Sequence, residues 1–281
     1  MNDLLKVLKW YKDNGVDDCV NETLVDNFSE KICDKVKDEN PDFISKSNSS
    51  KNLIDTVKAL TQRTNNLSND VSSNLVKLED IINSAREAAD SAKSLDELRK
   101  VVEEFEGCSS IKQIANNTVF GEGNPESDIL IIGEAPGNNE DLQGRPFCGE
   151  DGKLMDAMFE ALGYKRSSLY ITNTLFWRPP GNRTPTMEEL AMCKPFVEKH
   201  IALVRPKLIL MMGATVLTNM LSITESITKV RRKFFDYINK YLDYTVKATP
   251  LFHPSYLLRQ PIKKRDAWKD LLNIKYQIDL L

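Results

Sequence analysis

The sequence is poor in the residues on which most metal and nucleotide chemistry depends. Of its 281 residues only two are histidine and five are cysteine. No Cys-x-x-Cys pair and no His/Cys/Asp/Glu cluster has zinc spacing. There is no Gly-x-x-x-x-Gly-Lys-Ser/Thr loop to cradle nucleotide phosphates, and no Gly-x-Ser-x-Gly elbow to present a serine nucleophile. No apolar run approaches the ~20 residues that a bilayer crossing takes. The start, Met1-Asn2-Asp3-Leu4-Leu5-Lys6, has neither a basic leader nor a small-residue cleavage site. The odd cysteine set (Cys19, Cys33, Cys108, Cys148, Cys193) reads as free thiols. These features lead us to expect a cytoplasmic globular protein, without a membrane partner and with no metal ligands.

Charge is divided unevenly along the chain. Up to Gly107 there are 15 Lys and Arg against 22 Asp and Glu, which leaves 23 against 19 for the remainder. Only the second part has a balance suited to a polyanion. The first part carries helical stripes, Leu4, Leu5, Val7, Leu8, Trp10 and Tyr11, then Val25, Phe28, Ile32 and Val36. A Ser/Asn-rich stretch at about 44–73 is too polar to build a core and reads as a linker. A further helical stretch runs from Leu78 to about Phe105. We therefore expect residues 1–106 to form a helical N-terminal extension and residues 107–281 to form a separate domain.

Beyond Cys108 strands and helices alternate. Candidate strands are Asp128–Gly133, Ser168–Asn173, Lys207–Gly213 and Thr245–Phe252, each a short β-rich run closed by a turn signal or a polar group. Helical periods lie between them at Gly152–Leu162, Met187–Val204 and Ala214–Leu221, with a last one near Arg265–Leu280. This pattern predicts an α/β fold, a three-layer α/β/α arrangement around a central four-stranded parallel sheet. In such sheets ligands bind beyond the carboxyl ends of the strands. Four clusters follow the four strands: Gly133–Phe147, Asn173–Arg183, Gly213 and His253–Arg259.

Taken singly these clusters are ambiguous. Gly133-Glu134-Ala135-Pro136-Gly137 could be only a turn, Asn173 a cap or turn former, and Phe147 plain core. His253 follows a strand directly and precedes Pro254, which restrains its backbone to extended geometry. His200 lies in the middle of a helix and reads as structural.

Together they carry a resemblance. Gly133-Glu134-Ala135-Pro136-Gly137, Gly144-Arg145-Pro146-Phe147, Tyr170-Ile171-Thr172-Asn173, Arg178-Pro179-Pro180-Gly181-Asn182-Arg183 and His253-Pro254-Ser255-Tyr256-Leu257-Leu258-Arg259 resemble, in this order, the motifs of the family 4 uracil-DNA glycosylases. The resemblance covers approximately residues 107–281. It implies DNA repair by a hydrolase that flips uracil out of DNA and leaves an abasic site.

Phe147 matches the stacking aromatic, and Asn173 matches the residue that reads uracil, since an amide can accept from N3–H while donating to O4. His253 matches the donor near uracil O2. The backbone of the turn adds Gly133 and Ala135 to the substrate-binding positions. In the Gly-Gln-Asp-Pro-Tyr relatives an aspartate stands where Ala135 does here, so Glu134 or Glu140 would orient water or oppose the cationic sugar. For Glu140 the resemblance ranks another role higher: crowding pyrimidine C5 to exclude thymine. Ser255, Tyr256, Leu257 and Arg259 match a loop that contacts DNA and fills the gap left by the flipped nucleotide. The competing view is that Leu257 and Leu258 begin a buried helix. Arg178 and Arg183 are candidates for backbone contacts, and no motif lysine implies lyase chemistry.

One departure bears on cofactors. Many family 4 members hold a 4Fe–4S cluster through four cysteines. Only Cys108 and Cys193 match, with Ile111 and Trp177 at the other two positions, so we expect no cluster. We expect a monomer acting on uracil-containing DNA, with the N-terminal extension open to a protein partner. The alternatives are a glycosylase of broader deaminated-base specificity, or a non-catalytic DNA- or polymerase-associated accessory protein.

Overall fold

A computed structural model describes residues 76–279. The helical stripes expected before residue 43 and the linker at about 44–73 lie outside the described residues. Strand β2 (Ile129–Gly133) and strand β4 (Leu208–Met212) are buried at every position. Apolar strands without polar alternation must be covered on both faces, and these two lie side by side at the centre of the sheet. β2 also pairs in parallel with β3 (Tyr170–Asn173), and β4 with β6 (Val246–Leu251).

Two short antiparallel strands extend this parallel core. β1 (Glu122–Gly123) pairs with β3, and β5 (Phe235–Tyr237) with β6. The sheet is therefore six-stranded and mixed, in the order β1-β3-β2-β4-β6-β5. The expected four parallel strands are its core, and the two edges were not anticipated. Strands of two and three residues are too short to show a period.

The helical stretch expected from Leu78 to Phe105 is two helices, α1 (76–91) and α2 (Leu95–Glu104). They part at Ser94, whose hydroxyl accepts the Glu97 amide and caps the second helix. Ala85 and Ala89 of α1, and Leu98 and Val102 of α2, belong to the same apolar core as the sheet. Residues 77–106, assigned to the extension by sequence, thus pack with the domain that follows.

Short helix α3 (Ser109–Lys112) comes next. α4 (Asn138–Gln143) and α5 (Glu150–Ala161) follow β2. Between β3 and β4 runs α6 (Met187–Val204), opened by a Thr186–Glu189 capping box and closed by Arg205 in left-handed geometry. Phe105 meets Phe196 of α6 edge-on, with ring centroids 5.0 Å apart. α7 (Ala214–Leu221) and α8 (Ile227–Val230) follow β4, and α9 (Pro254–Arg259) and α10 (Lys264–Ile278) follow β6.

Register decides what meets at the carboxyl ends. Gly133 lies opposite Asn173, and Met212 opposite Leu251. The segments leaving β3, β2, β4 and β6 therefore emerge as one row, with the Gly213 amide donating to the Leu251 carbonyl at 3.0 Å.

Candidate active site

Beyond that row opens a cleft of about 790 Å³. Its lining includes Glu134 to Gly137, Gly213, His253, Tyr256 and Arg259. The turn after β2 is fixed by the chain leaving β3. Thr174 N–H donates to the Gly133 carbonyl at 2.8 Å, and the Thr174 hydroxyl donates to the Glu134 carbonyl at 2.7 Å.

Gly133 has no side chain because there is no room for one. A Cβ there would stand 2.3 Å from Asn173 Oδ1 and 2.6 Å from the Phe147 ring. The amide and the ring thus converge on one backbone atom. Asn173 is buried, and its Nδ2 has no hydrogen-bond partner. An orphaned buried donor costs about 1–3 kcal/mol, and a ligand acceptor would relieve it.

Phe147 is buried and left-handed, with φ of 47°. Its ring lies 5.5 Å from the His253 ring, centroid to centroid, and is tilted by 32°. His253 caps α9. Its Nδ1 accepts the Ser255 amide at 3.2 Å and lies 2.8 Å from the Ser255 hydroxyl. Burial pushes the imidazole below its ordinary range, against the pull of Glu134. A neutral ring that accepts at Nδ1 carries its proton on Nε2 and is a donor there.

Comparison with known proteins accords with this geometry. The family model described as the uracil DNA glycosylase superfamily matches residues 120–275. The chain belongs to that superfamily. It is 38% identical over 188 residues to the Type-4 uracil-DNA glycosylase of Sulfurisphaera tokodaii, covering 64% of this chain and 84% of that protein. To the Type-4 uracil-DNA glycosylase of Thermotoga maritima it is 40% identical over 168 residues, 58% of this chain and 85% of that one. A DNA polymerase of Bacillus phage SP01 is 26% identical over 163 residues, 58% of this chain but 17% of the polymerase.

Several motif residues of this superfamily member are placed differently from expectation. Glu140 is buried, with its carboxylate taken up by three backbone amides: Gly137 at 3.1 Å, and Cys148 and Gly149 at 2.8 Å each. It ties two turns together and is poorly placed to carry water. A Cβ on Gly137 would stand 2.8 Å from Glu140 Oε2, so Glu140 occupies the space a larger residue at 137 would need. Glu134 lines the cleft itself.

Leu257, expected to touch DNA, is wholly buried, whereas Leu258 is 43% exposed. The buried-helix view therefore holds for Leu257 alone, and on this six-residue helix Leu258 faces outward. Ser255 is engaged with His253, while Tyr256 is half-buried against Phe252, with centroids 5.2 Å apart. Arg259 is exposed at the cleft. The two loop arginines are used internally. Arg178 donates to Asn138 and Asn182 at 2.8 and 2.6 Å, and Arg183 forks onto Glu189 at 2.8 and 2.5 Å.

Asp151 was missed by sequence reasoning. It lines the cleft and accepts the Gly152 amide at 2.9 Å, with burial and then Glu140 holding its pKa up. Its position in Gly149-Glu150-Asp151-Gly152, directly after the Phe147 motif, was the available signal.

Cys108 and Cys193 are buried free thiols whose sulfurs lie 3.7 Å apart. Among the described residues no group of three or more His, Cys, Asp or Glu could hold a metal ion. Ile111, one turn beyond Cys108, is buried, as is Trp177, whose indole donates to Thr118 at 3.0 Å. Apolar packing thus stands at both positions where further thiolates would be needed, and a four-cysteine cluster does not fit this site. No helix among the described residues is long and apolar enough to cross a membrane. His200 is buried, 2.8 Å from the Tyr170 hydroxyl and stacked on Phe120.

Proposed function

We propose that this chain removes uracil from DNA by hydrolysing its N-glycosidic bond, leaving an abasic site. The observation that carries this reading is the convergence of Phe147 and the unpartnered Asn173 amide on Gly133, with the His253 ring, which lines the cleft, 5.5 Å from the Phe147 ring. An extruded pyrimidine stacks on Phe147. Asn173 Nδ2 donates to uracil O4 and Oδ1 accepts from N3–H. Cytosine offers a donor at position 4 and no N3–H, so it leaves both amide groups mispaired in a desolvated site.

As the bond between C1′ and N1 breaks, its electron pair passes to the base and is shared with O2. His253 Nε2–H donates there, where negative charge grows, a contribution on the order of 3 kcal/mol. Glu134 faces the cleft and opposes the positive charge on the sugar. Water adds to C1′, and its proton is taken up by the departing uracil anion. Glu140, anchored beside Gly137, walls off pyrimidine C5 and excludes a methyl group. Leu258 fills the space the flipped nucleotide vacates, and Arg259 takes a phosphate.

The protein in this reading is a monomer and carries no iron–sulfur cluster. The free thiols of Cys108, Cys148 and Cys193, the cysteines among the described residues, support a cytoplasmic location. The test is a uracil-containing oligonucleotide incubated with the protein and then treated with alkali. Strand scission at the uracil position and release of free uracil are expected, and an intact strand in the presence of folded protein refutes the reading.

A further inference from the structure

Phe147 stands in a backbone conformation that a bulky residue adopts only under constraint. Its φ is 47°, in the left-handed region, where a side chain as large as phenylalanine is strained. Something must hold it there, and the structure shows what does. Arg166, in the turn before β3, reaches the two carbonyls that flank this residue's torsions. Its Nη1 donates to the Phe147 carbonyl at 3.0 Å and its Nη2 to the Pro146 carbonyl at 2.5 Å.

The guanidinium is itself held. Its Nε donates to Glu122 at 2.5 Å and its Nη1 to Asp156 of α5 at 2.9 Å. Glu122 also receives Arg145, from the other side of Pro146, at 2.6 and 3.2 Å. Four contacts thus occupy four of the five N–H groups of Arg166. The side chain is 19% exposed, and one N–H remains for anything outside the protein. From the third side α5 closes in at Gly152, where a Cβ would fall 1.8 Å from the Phe147 carbonyl oxygen.

We propose that Arg166 is the positioning residue for the stacking ring: its planar fork locks the Pro146–Phe147 backbone so that the Phe147 ring lies against Gly133 and His253, at the pocket assigned above to the base. The inference rests on the proposed reading of that pocket as a uracil site. Lysine cannot replace the fork, because a single ammonium cannot bridge both carbonyls and both carboxylates at once.

The experiment is a double-mutant cycle of Arg166→Lys and Phe147→Ala, read by single-turnover excision and by inhibition with free uracil. Arg166→Lys should weaken uracil inhibition and raise KM by about tenfold, with a smaller change in kcat. In the Phe147→Ala background the same change should cost less than about twofold, because the ring through which Arg166 acts is gone. Costs that multiply independently would overturn the proposal, as would a reduced salt dependence of DNA binding, the mark of a phosphate ligand. Should Arg166→Lys fail to fold, Asp156→Ala removes one anchor of the guanidinium at a 37% exposed site and should give the same coupled, smaller effect. If the wild type neither excises nor binds uracil, the functional reading fails. The backbone of Phe147 in a crystal structure of the variant then decides the positioning role alone, since an unchanged left-handed φ overturns it.

Discussion

Replacing Gly133 with alanine adds a single methyl group at the point where the Asn173 amide and the Phe147 ring meet. The new Cβ would lie 2.3 Å from Asn173 Oδ1 and 2.6 Å from the Phe147 ring, and Gly133 is not at positive φ, so the backbone itself tolerates alanine. All of the cost falls on neighbours. Asn173 is short and sits directly across from Gly133 in the β2–β3 register, and Phe147 is fixed by its own strained backbone, so neither can yield freely. Overpacking of this kind costs about 1–3 kcal/mol of stability, a fall in Tm of roughly 3–10 °C for a unit of this size.

Activity should suffer more than stability. A displaced amide loses its donor contact at O4 and its acceptor contact at N3–H, and removal of one donor aimed at developing charge already costs about 10²–10³ in rate. Single-turnover excision on a uracil oligonucleotide, with thermal melting alongside, measures both. Gly163→Ala is the control, because that glycine has φ of 92° but nothing within 4 Å of an added Cβ. It should lose stability through backbone strain and keep its excision rate. Gly133→Ala with wild-type kcat/KM would mean that Asn173 and Phe147 do not grip the base.

His253→Ala should lower the chemical step by about 10²–10³ while DNA affinity measured by titration changes little; an equal loss in both would make His253 a binding residue. Because burial depresses the imidazole pKa, excision should persist at pH 6.5 and fall only at more acid pH, as protonation of Nδ1 breaks its bond with the Ser255 amide. Leu257→Ala removes a wholly buried side chain and should cost about 2–5 kcal/mol in denaturant melts, whereas Leu258→Ala should leave stability within about 0.5 kcal/mol and slow excision from duplex DNA. The reverse pattern would exchange their roles. His200 is pushed down to about 3 by burial, so the native state binds fewer protons than the unfolded chain below pH 6.5. Stability is whole above that pH and is lost as pH falls toward 3, by up to about 5 kcal/mol. His200→Gln should flatten the slope of Tm against pH between 6 and 4, and equal slopes would show that the linkage lies elsewhere.

The parallel core of the sheet was legible because β2 and β4 are unbroken apolar runs that end abruptly at Gly133 and Gly213. Strands buried on both faces have that composition, and a ligand crevice follows from parallel strands ending together. His253-Pro254 and the Gly133–Gly137 turn could be read for the same reason, since glycine and proline restrict backbone geometry locally. Edge strands β1 and β5 were not legible, because pairing with a neighbour defines them more than their own two or three residues do.

The site shows the same division. Phe147, Asn173 and His253, each ambiguous alone, were singled out by the resemblance of their motifs to a known family, but their convergence depends on the β2–β3 register and on the missing side chain at Gly133. Glu140, Arg178 and Arg183 look from sequence like groups free to act on substrate or DNA. Only folding supplies the amides and carboxylates that engage them. Leu257 and Leu258 are chemically identical, and which one faces solvent was settled by the rotation of a six-residue helix against the core. Local backbone chemistry and apolar patterning, which act over a few residues, were written in the chain. Burial and the pairing of charges arise between distant segments, and they existed only once those segments had met.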